Sequence, residues 1–332
     1  MTRFIALASI ASAVSTVALA QQPAVINGNV ETRAVTGALS QEYRRLESSA
    51  TSPMWAAYTV PMVRRQGDMC GTDQHNNIVR LEGSDTLVIL FRFENHALDR
   101  VRISNLDCQF DAGGVPFVLL TGVQPAQSVD LLAELARSWT QTGRKTHFDS
   151  IISALALHRD PSADKALESM LAPSQPESLR EKVLFWLANA RGASGFEAVK
   201  RALESDPSDR VREKATFALT VSKEPGAMPA LVTAARNDRT PRVRSQALFW
   251  LAHKAGTSEA AVILQAAQQD PSLEVRRKAV FALEQIPGGE GVPLLIQLAR
   301  TSTDPKVKEQ AVFWLGRSKD PRATRFFEDI LK

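Results

Sequence analysis

One apolar motif returns at a fixed interval. "EKVLFWLANARG" starts at Glu181, "EKATFALTVSKE" at Glu213, "SQALFWLAHKAG" at Ser245, "RKAVFALEQIPG" at Arg277 and "EQAVFWLGRSKD" at Glu309. Phe185, Phe217, Phe249, Phe281 and Phe313 are therefore 32 residues apart each time, as are Leu187, Leu219, Leu251, Leu283 and Leu315. Leu179, Val211, Val243, Val275 and Val307 keep the same register, followed one place on by Arg180, Arg212, Arg244, Arg276 and Lys308. Five units without an insertion define a repeat array, and an array constrains the fold more than any composition value. Within a unit, Val211, Ala215, Ala218 and Leu219 fall at i, i+4, i+7 and i+8, one face of a first helix. A second apolar run follows each Gly- or Pro-marked turn: "FEAVKRAL", "MPALVTAA", "AAVILQAA", "VPLLIQLA", "TRFFEDIL". Asp206, Asp238 and Asp270 mark the turn back. Two such helices cannot close a core alone, so neighbouring units must stack.

Two columns decide how they stack. At 100° per residue the Phe column lies about 240° from the Val column, on the flank where successive first helices meet. It is expected to fill the seam between units. The next column reads Trp186, Ala218, Trp250, Ala282, Trp314 and lies within about 20° of the core direction. A Trp in every unit would overfill the interior, so large alternates with small and the true period is 64. The Trp residues are thus expected in the core. The Arg column is expected to bond backbone or the preceding turn's Asp, with a ligand-binding ladder as the alternative.

The segments "VREKATFAL", "VRSQALFWLA", "VRRKAVFAL" and "VKEQAVFWLG" resemble HEAT repeats, in particular the short bacterial subclass named after phycobilin-lyase subunits. The resemblance covers about residues 177–332, with a degenerate capping unit at about 147–172. It implies a mainly α fold, a right-handed α-solenoid of antiparallel helical hairpins whose surfaces hold other macromolecules. The preceding segment is similar to part of secreted bacterial HEAT-repeat proteins, and no activity comes with that likeness.

Residues 1–20, "MTRFIALASIASAVSTVALA", combine one basic residue, an apolar run and a small-x-small ending, the signature of a signal peptide cleaved before Gln21. A membrane anchor is the alternative. Residues 21–140 mix a helix from about Leu39, short β-rich runs ("MWAAYTVPMV", "NNIVRLEG", "TLVILFRFEN", "DRVRISN") and a helix from Pro125, which reads as a small α+β module. Residues 141–332 form the array. The only two cysteines, Cys70 and Cys108, bracket the central strands, and an exported chain favours pairing them. A metal site of Cys70, His75 and Cys108 lacks a fourth ligand. Asp107 and Asp111 sit beside Gly113 and Gly114 and read as turn formers rather than a carboxylate pair.

Nothing catalytic emerges. The five histidines (His75, His96, His147, His158, His253) are scattered, no His-Glu pair occurs, and no phosphate loop, HExxH or GxSxG motif is present. The paired-metal arrangement of HEAT-fold hydroxylases is therefore absent, and a bilin lyase is supported by the repeat alone. No enzyme, cofactor, metal, nucleic-acid partner or membrane span is expected, and the chain is expected to be monomeric. A protein partner is the expected function. On the middle second helices the outward positions read Pro229, Val232, Thr233 and Arg236, then Ala261, Leu264, Gln265 and Gln268, then Pro293, Ile296, Gln297 and Arg300, without an acid. Val232, Arg236, Leu264, Gln268, Ile296 and Arg300 are the candidate contacts on the concave face, unless the apolar three complete the core. The alternative surface is a basic ridge of turns, Arg191, Lys223, Lys254, Arg317 and Lys319, facing an acidic envelope polymer or lipid headgroups.

Overall fold

A computed structural model describes residues 22–63, 69–70, 84–142 and 148–332. The expected signal peptide, His75, His147 and the whole "NNIVRLEG" run lie outside the described residues. Among those described, the chain is mainly α: stacked helical hairpins preceded by a small sheet module. The module holds β1 (Ala24–Ile26), β2 (Val30–Ala34), α1 (Leu39–Ser49), β3 (Met54–Pro61), β4 (Thr86–Glu94), β5 (Ala97–Asn105), β6 (Gln109–Asp111), β7 (Phe117–Thr121) and α2 (Pro125–Thr142). Its main sheet runs β2-β7-β3-β4-β5, with β1 and β6 pairing separately in parallel. β4 and β5 form an antiparallel hairpin through Asn95 and His96, both at positive φ, as a tight hairpin turn requires. Cys70 and Cys108 are joined as a disulfide with Cα atoms 5.3 Å apart, one before this hairpin and one after it. Closing a loop of 38 residues stabilises the fold by roughly 4 kcal/mol in the chain-entropy model.

β7 is an element that the residue pattern did not announce. It is buried over Phe117–Leu120 and lies between β2 and β3, parallel to both. A strand covered on both faces has no polar alternation to reveal it.

α2 joins the module to the array. It packs on β3 and α1 on one side, and on α3 (Phe148–Leu157) and α4 (Ser162–Ser169) on the other. One apolar cluster consequently runs from Leu39 through Leu132 and Leu155 to Phe326, across sheet and array. The first helices continue as α5 (Glu177–Ala190), α7 (Asp209–Val221), α9 (Pro241–Ala255), α11 (Leu273–Glu284) and α13 (Pro305–Arg317). The second helices are α6 (Gly192–Ser205), α8 (Ala227–Asn237), α10 (Ala260–Gln269), α12 (Val292–Thr301) and α14 (Pro321–Ile330). Each first helix packs on the next, and Leu179, Val211, Val243, Val275 and Val307 are all fully buried.

The Arg column ties the units together. Arg212 Nε and Nη2 donate to the two carboxylate oxygens of Asp238 at 2.8 and 3.1 Å. Arg180 does the same to Asp206 (2.9 and 3.1 Å) and Arg244 to Asp270 (2.8 Å for both). Arg276 meets Asp304 at 3.0 and 2.9 Å. The third nitrogen turns the other way: Arg212 Nη1 donates to the Asp206 carbonyl, Arg244 Nη1 to that of Asp238 and Arg276 Nη1 to that of Asp270, at 2.9, 2.9 and 2.6 Å. Of the expectation that these arginines bond backbone or the preceding turn's Asp, the backbone half is what is seen: that Asp supplies its carbonyl, and the carboxylate comes from the following turn. The reason is reach, since a five-donor guanidinium spans the gap between two consecutive turns. Each Asp also accepts from the backbone N–H two residues on, as Asp238 does from Thr240 at 2.8 Å, which starts the next first helix.

Three of these pairs are buried, Arg276–Asp304 being part-exposed at 22% and 25%, so removing one partner of a buried pair strands the other. Arg212 has no exposed side-chain surface and Asp238 only 7%. Arg212→Met is expected to cost about 3–5 kcal/mol of unfolding free energy by denaturant titration; a loss below about 1 kcal/mol would remove the staple from the account. Burial opposes the Asp238 carboxylate, but the Arg212 fork and the Thr240 donors outweigh it and hold its pKa below the usual value. A depressed carboxylate contributes stability above its unfolded pKa, about 4, and loses it as pH falls further. The Arg212→Met variant is expected to show a shallower acid loss below pH 4 than the parent.

Candidate functional site

The aromatic columns form one continuous surface strip. Phe185 and Phe217 stack with centroids 6.0 Å apart, and Phe249 and Phe281 with centroids 6.3 Å apart. Where a Trp follows, the seam differs: Phe217 meets Trp250 and Phe281 meets Trp314, both at 5.1 Å. Within units, Phe185–Trp186, Phe249–Trp250 and Phe313–Trp314 meet edge to face. Eight rings are thereby linked across five first helices. The alternation makes the seams alternate between a Phe–Phe stack and a Phe–Trp contact, which is what a 64-residue period means physically.

The Phe column fills the seams between units, while the expectation that the Trp rings occupy the core is corrected. Ala218 and Ala282 are buried in the interior, whereas Trp186, Trp250 and Trp314 are half-buried and pack against the core from outside. The methyl of alanine fits at this helix position; an indole does not, and it leans into the seam with the preceding unit. Phe185, Phe249 and Phe281 are half-buried too, while Phe217 is 37% and Phe313 53% exposed. The Arg317 guanidinium lies 5.9 Å over the Phe313 ring.

On the second helices Val232, Leu264 and Ile296 are half-buried and touch the core edge, so they sit on the border between core and surface. Around them Pro229, Thr233, Arg236, Ala261, Gln265, Gln268, Pro293, Gln297 and Arg300 are exposed. Arg300 is engaged by α14, 3.6 Å from Asp329 and 5.7 Å over Phe326. A cavity of about 250 Å³ opens between the C-terminal ends of α6 and α8, lined by Leu203, Glu204, Thr233 and Asn237 among others.

The basic ridge is also corrected at one end. Arg191 is buried, forked to Asp164 at 2.8 and 2.6 Å and bonded to the carbonyls of Ala156 and His158. Lys223, Lys254, Arg317 and Lys319 remain exposed. Asp111 accepts from the Gly113 amide at 2.8 Å and from Asn27 at 3.1 Å, and Asp107 accepts from the Ser84 amide, so both carboxylates hold turns. Among the described residues no group of three His, Cys, Asp or Glu side chains is placed to hold a metal ion. Nor is any described helix long and apolar enough to cross a membrane.

His158 is the functional-looking residue whose setting the residue pattern did not show. It is fully buried where sheet and array meet, bonded through Nδ1 to the Ala154 carbonyl at 2.7 Å and through Nε2 to Ser128 Oγ at 2.8 Å. Ser128 in turn lies 2.8 Å from Tyr58 Oη. All three side chains are without access to solvent, which leaves no room for a substrate.

Residues 165–252 and 260–332 match the family model for HEAT repeats. No curated protein matches the chain. Among solved structures, human deoxyhypusine hydroxylase in complex with glycerol is similar at 15% identity, over 62% of this chain and 90% of that one, with a TM-score of 0.27. The complex of CpcE and CpcF of phycocyanin lyase from Nostoc sp. is similar at 18% identity, over 58% and 76%, with a TM-score of 0.31.

Trp250 packs in a seam rather than in the interior, so Trp250→Ala is expected to cost about 3 kcal/mol, the lower end for deleting a packed aromatic. Ala282→Trp forces an indole where 1% exposure leaves no space, and is expected to cost about 1–3 kcal/mol by overpacking. Thermal or denaturant unfolding checks both. An Ala282→Trp protein as stable as the parent would show that the alternation is not a packing constraint.

Proposed function

We propose that this HEAT-repeat chain is an exported, non-catalytic scaffold that holds a protein partner along its second-helix face. One observation carries the reading. On three consecutive second helices, α8, α10 and α12, the exposed positions repeat at 32-residue spacing without a carboxylate, over the half-buried row Val232, Leu264 and Ile296. A regular, uncharged-to-basic stripe above an apolar floor suits an extended or helical protein segment, which gains burial along its length and repels little. Arg236, Gln268 and Arg300 rim the stripe and supply donors to it. The terminal units carry acids at the same places, Glu197 and Glu204 on α6 and Glu328 and Asp329 on α14, as solvent-facing ends of a solenoid do.

Export rests on the residue pattern of positions 1–20 together with the Cys70–Cys108 disulfide. A second reading has its own observation: the first helices expose Phe217 and Phe313 in the aromatic strip, next to the basic turns Lys254, Arg317 and Lys319. On that reading the partner docks on the opposite side of each hairpin.

The two surfaces separate cleanly by site-directed photo-crosslinking in the producing cell, with the probe at Gln265 or at Lys278, which is exposed on α11 three residues before Phe281. Crosslinking to one discrete protein from position 265 and not from 278 is the expected result. With that protein purified, the triple variant Thr233→Glu, Gln265→Glu, Gln297→Glu is expected to weaken binding at least 10-fold in titration calorimetry. Exposed substitutions of this kind leave the melting temperature within a few degrees. Crosslinks confined to Lys278 would transfer the function to the aromatic strip, and undiminished binding by the triple variant would exclude the second-helix face.

A further inference from the structure

The joint between sheet and array is tied by backbone as well as side chains. Val63 N–H donates to the Leu157 carbonyl at 2.8 Å and Arg159 N–H to the Pro61 carbonyl at 3.0 Å, so the end of β3 is stitched to the end of α3. Arg191 caps the same turn through the His158 carbonyl. At the centre of this seam lies the chain Tyr58, Ser128, His158, Ala154, drawing Tyr58 from β3, Ser128 from α2, Ala154 from α3 and His158 from the position just after that helix.

Its direction follows from donor counting. The Ala154 carbonyl can only accept, so His158 Nδ1 carries a proton and the neutral ring leaves Nε2 as an acceptor. Ser128 therefore gives its single hydroxyl proton to Nε2, and Tyr58 gives its own to Ser128. Every proton has an acceptor, and no charge is present.

We infer that this seam is a proton-sensitive latch, in which protonation of His158 reverses the hydrogen-bond chain and loosens the hold of the sheet module on the first hairpin of the array. An imidazolium must donate from Nε2 as well, which turns Ser128 round to donate to Tyr58 Oη. The Tyr58 hydroxyl proton is then left among Phe91 and other apolar groups with its one partner already donating. An unmatched buried donor is costly, and so is the new buried charge. Among the described residues, the charged groups facing the ring are Asp160 and Arg191. Asp160 favours the cation, but its carboxylate is occupied by the Ser162 hydroxyl and amide at 2.6 and 2.8 Å. Arg191 opposes it, and the nearby Asp164 carboxylate is already forked to that arginine. Burial lowers the imidazole pKa from its ordinary value, against the pull of the Ala154 carbonyl and Asp160.

The sign follows from linkage. The unfolded or undocked chain takes up the proton near pH 6.5 and the docked state only at lower pH, so docking is strongest above about 6.5 and weakens as pH falls through that value. The window is separate from the loss below pH 4 that the carboxylates produce.

Unfolding of the full chain between pH 7.5 and 5.0 tests this, read by denaturant titration and by amide exchange corrected for intrinsic rates. The expected result is an unfolding or undocking constant that rises up to about 30-fold over this range, with Val63 and Arg159 amides losing protection ahead of those in α9. In His158→Gln that pH dependence should disappear. An unchanged slope in His158→Gln would overturn the latch. If that variant does not fold, the imidazole nitrogens of the parent protein decide by NMR. A His158 ring that stays neutral well below pH 6.5, until the Val63 and Arg159 amides open, supports the latch. A ring that titrates near 6.5 with those amides protected overturns it.

Discussion

The array depends on a charge pair that looks in both directions along the chain. Each arginine after the buried Val position forks onto the Asp of the following turn and also donates to a carbonyl of the preceding one, so two consecutive turns share one guanidinium. The same Asp also accepts from the Thr240 N–H, just ahead of the next first helix. Register between units is thereby set at a fixed 32-residue interval: an inserted residue would move a buried Arg away from the carboxylate it forks onto. Apolar stacking alone is non-directional and would tolerate sliding. The buried pair contributes little net stability against an apolar alternative, and what it supplies instead is a single allowed register.

Once the staples fix the spacing, the seams between first helices have to be filled to a set depth. The Phe column does this everywhere, and the Trp column does it in alternate units, because an indole in each would collide with its neighbour. The result is a strip of rings along the first helices that is partly open to solvent at Phe217 and Phe313. The second helices have no such burden. Their inward positions close the core with Leu231, Ile263 and Leu295, and their outward positions are exposed.

The sheet module is more than an appendage to this array. α2 contacts both, the apolar cluster passes through it, and the buried hydroxyl–imidazole chain sits at the crossing. A polar network at such a place specifies how two layers meet, since only one arrangement satisfies every donor. That is also what makes it sensitive to a single added proton, and it links the posture of the array to the sheet.

The repeat, the hairpin architecture, the helix starts at the Asp turns and the cysteine pairing were all legible from residue spacing, because each depends on local periodicity or on a count. The stripe on the second helices was legible for the same reason, as a row of positions. What periodicity alone left open is the depth of each position. An angle around a helix axis placed the Trp column in the core, yet side-chain volume pushed the indoles out to the seam, and volume acts between units rather than within one. The same holds for Arg191, which reads as an exposed turn residue until Asp164, 27 residues earlier, is folded against it. β7 has no alternation to betray it, and His158 is one histidine among five until Tyr58 and Ser128, 100 and 30 residues away in the chain, meet it. The sequence determined the repeat and its register, which are properties of spacing. Only the tertiary structure decided burial, pairing and the proton-bearing seam, which depend on contacts between residues that spacing does not relate.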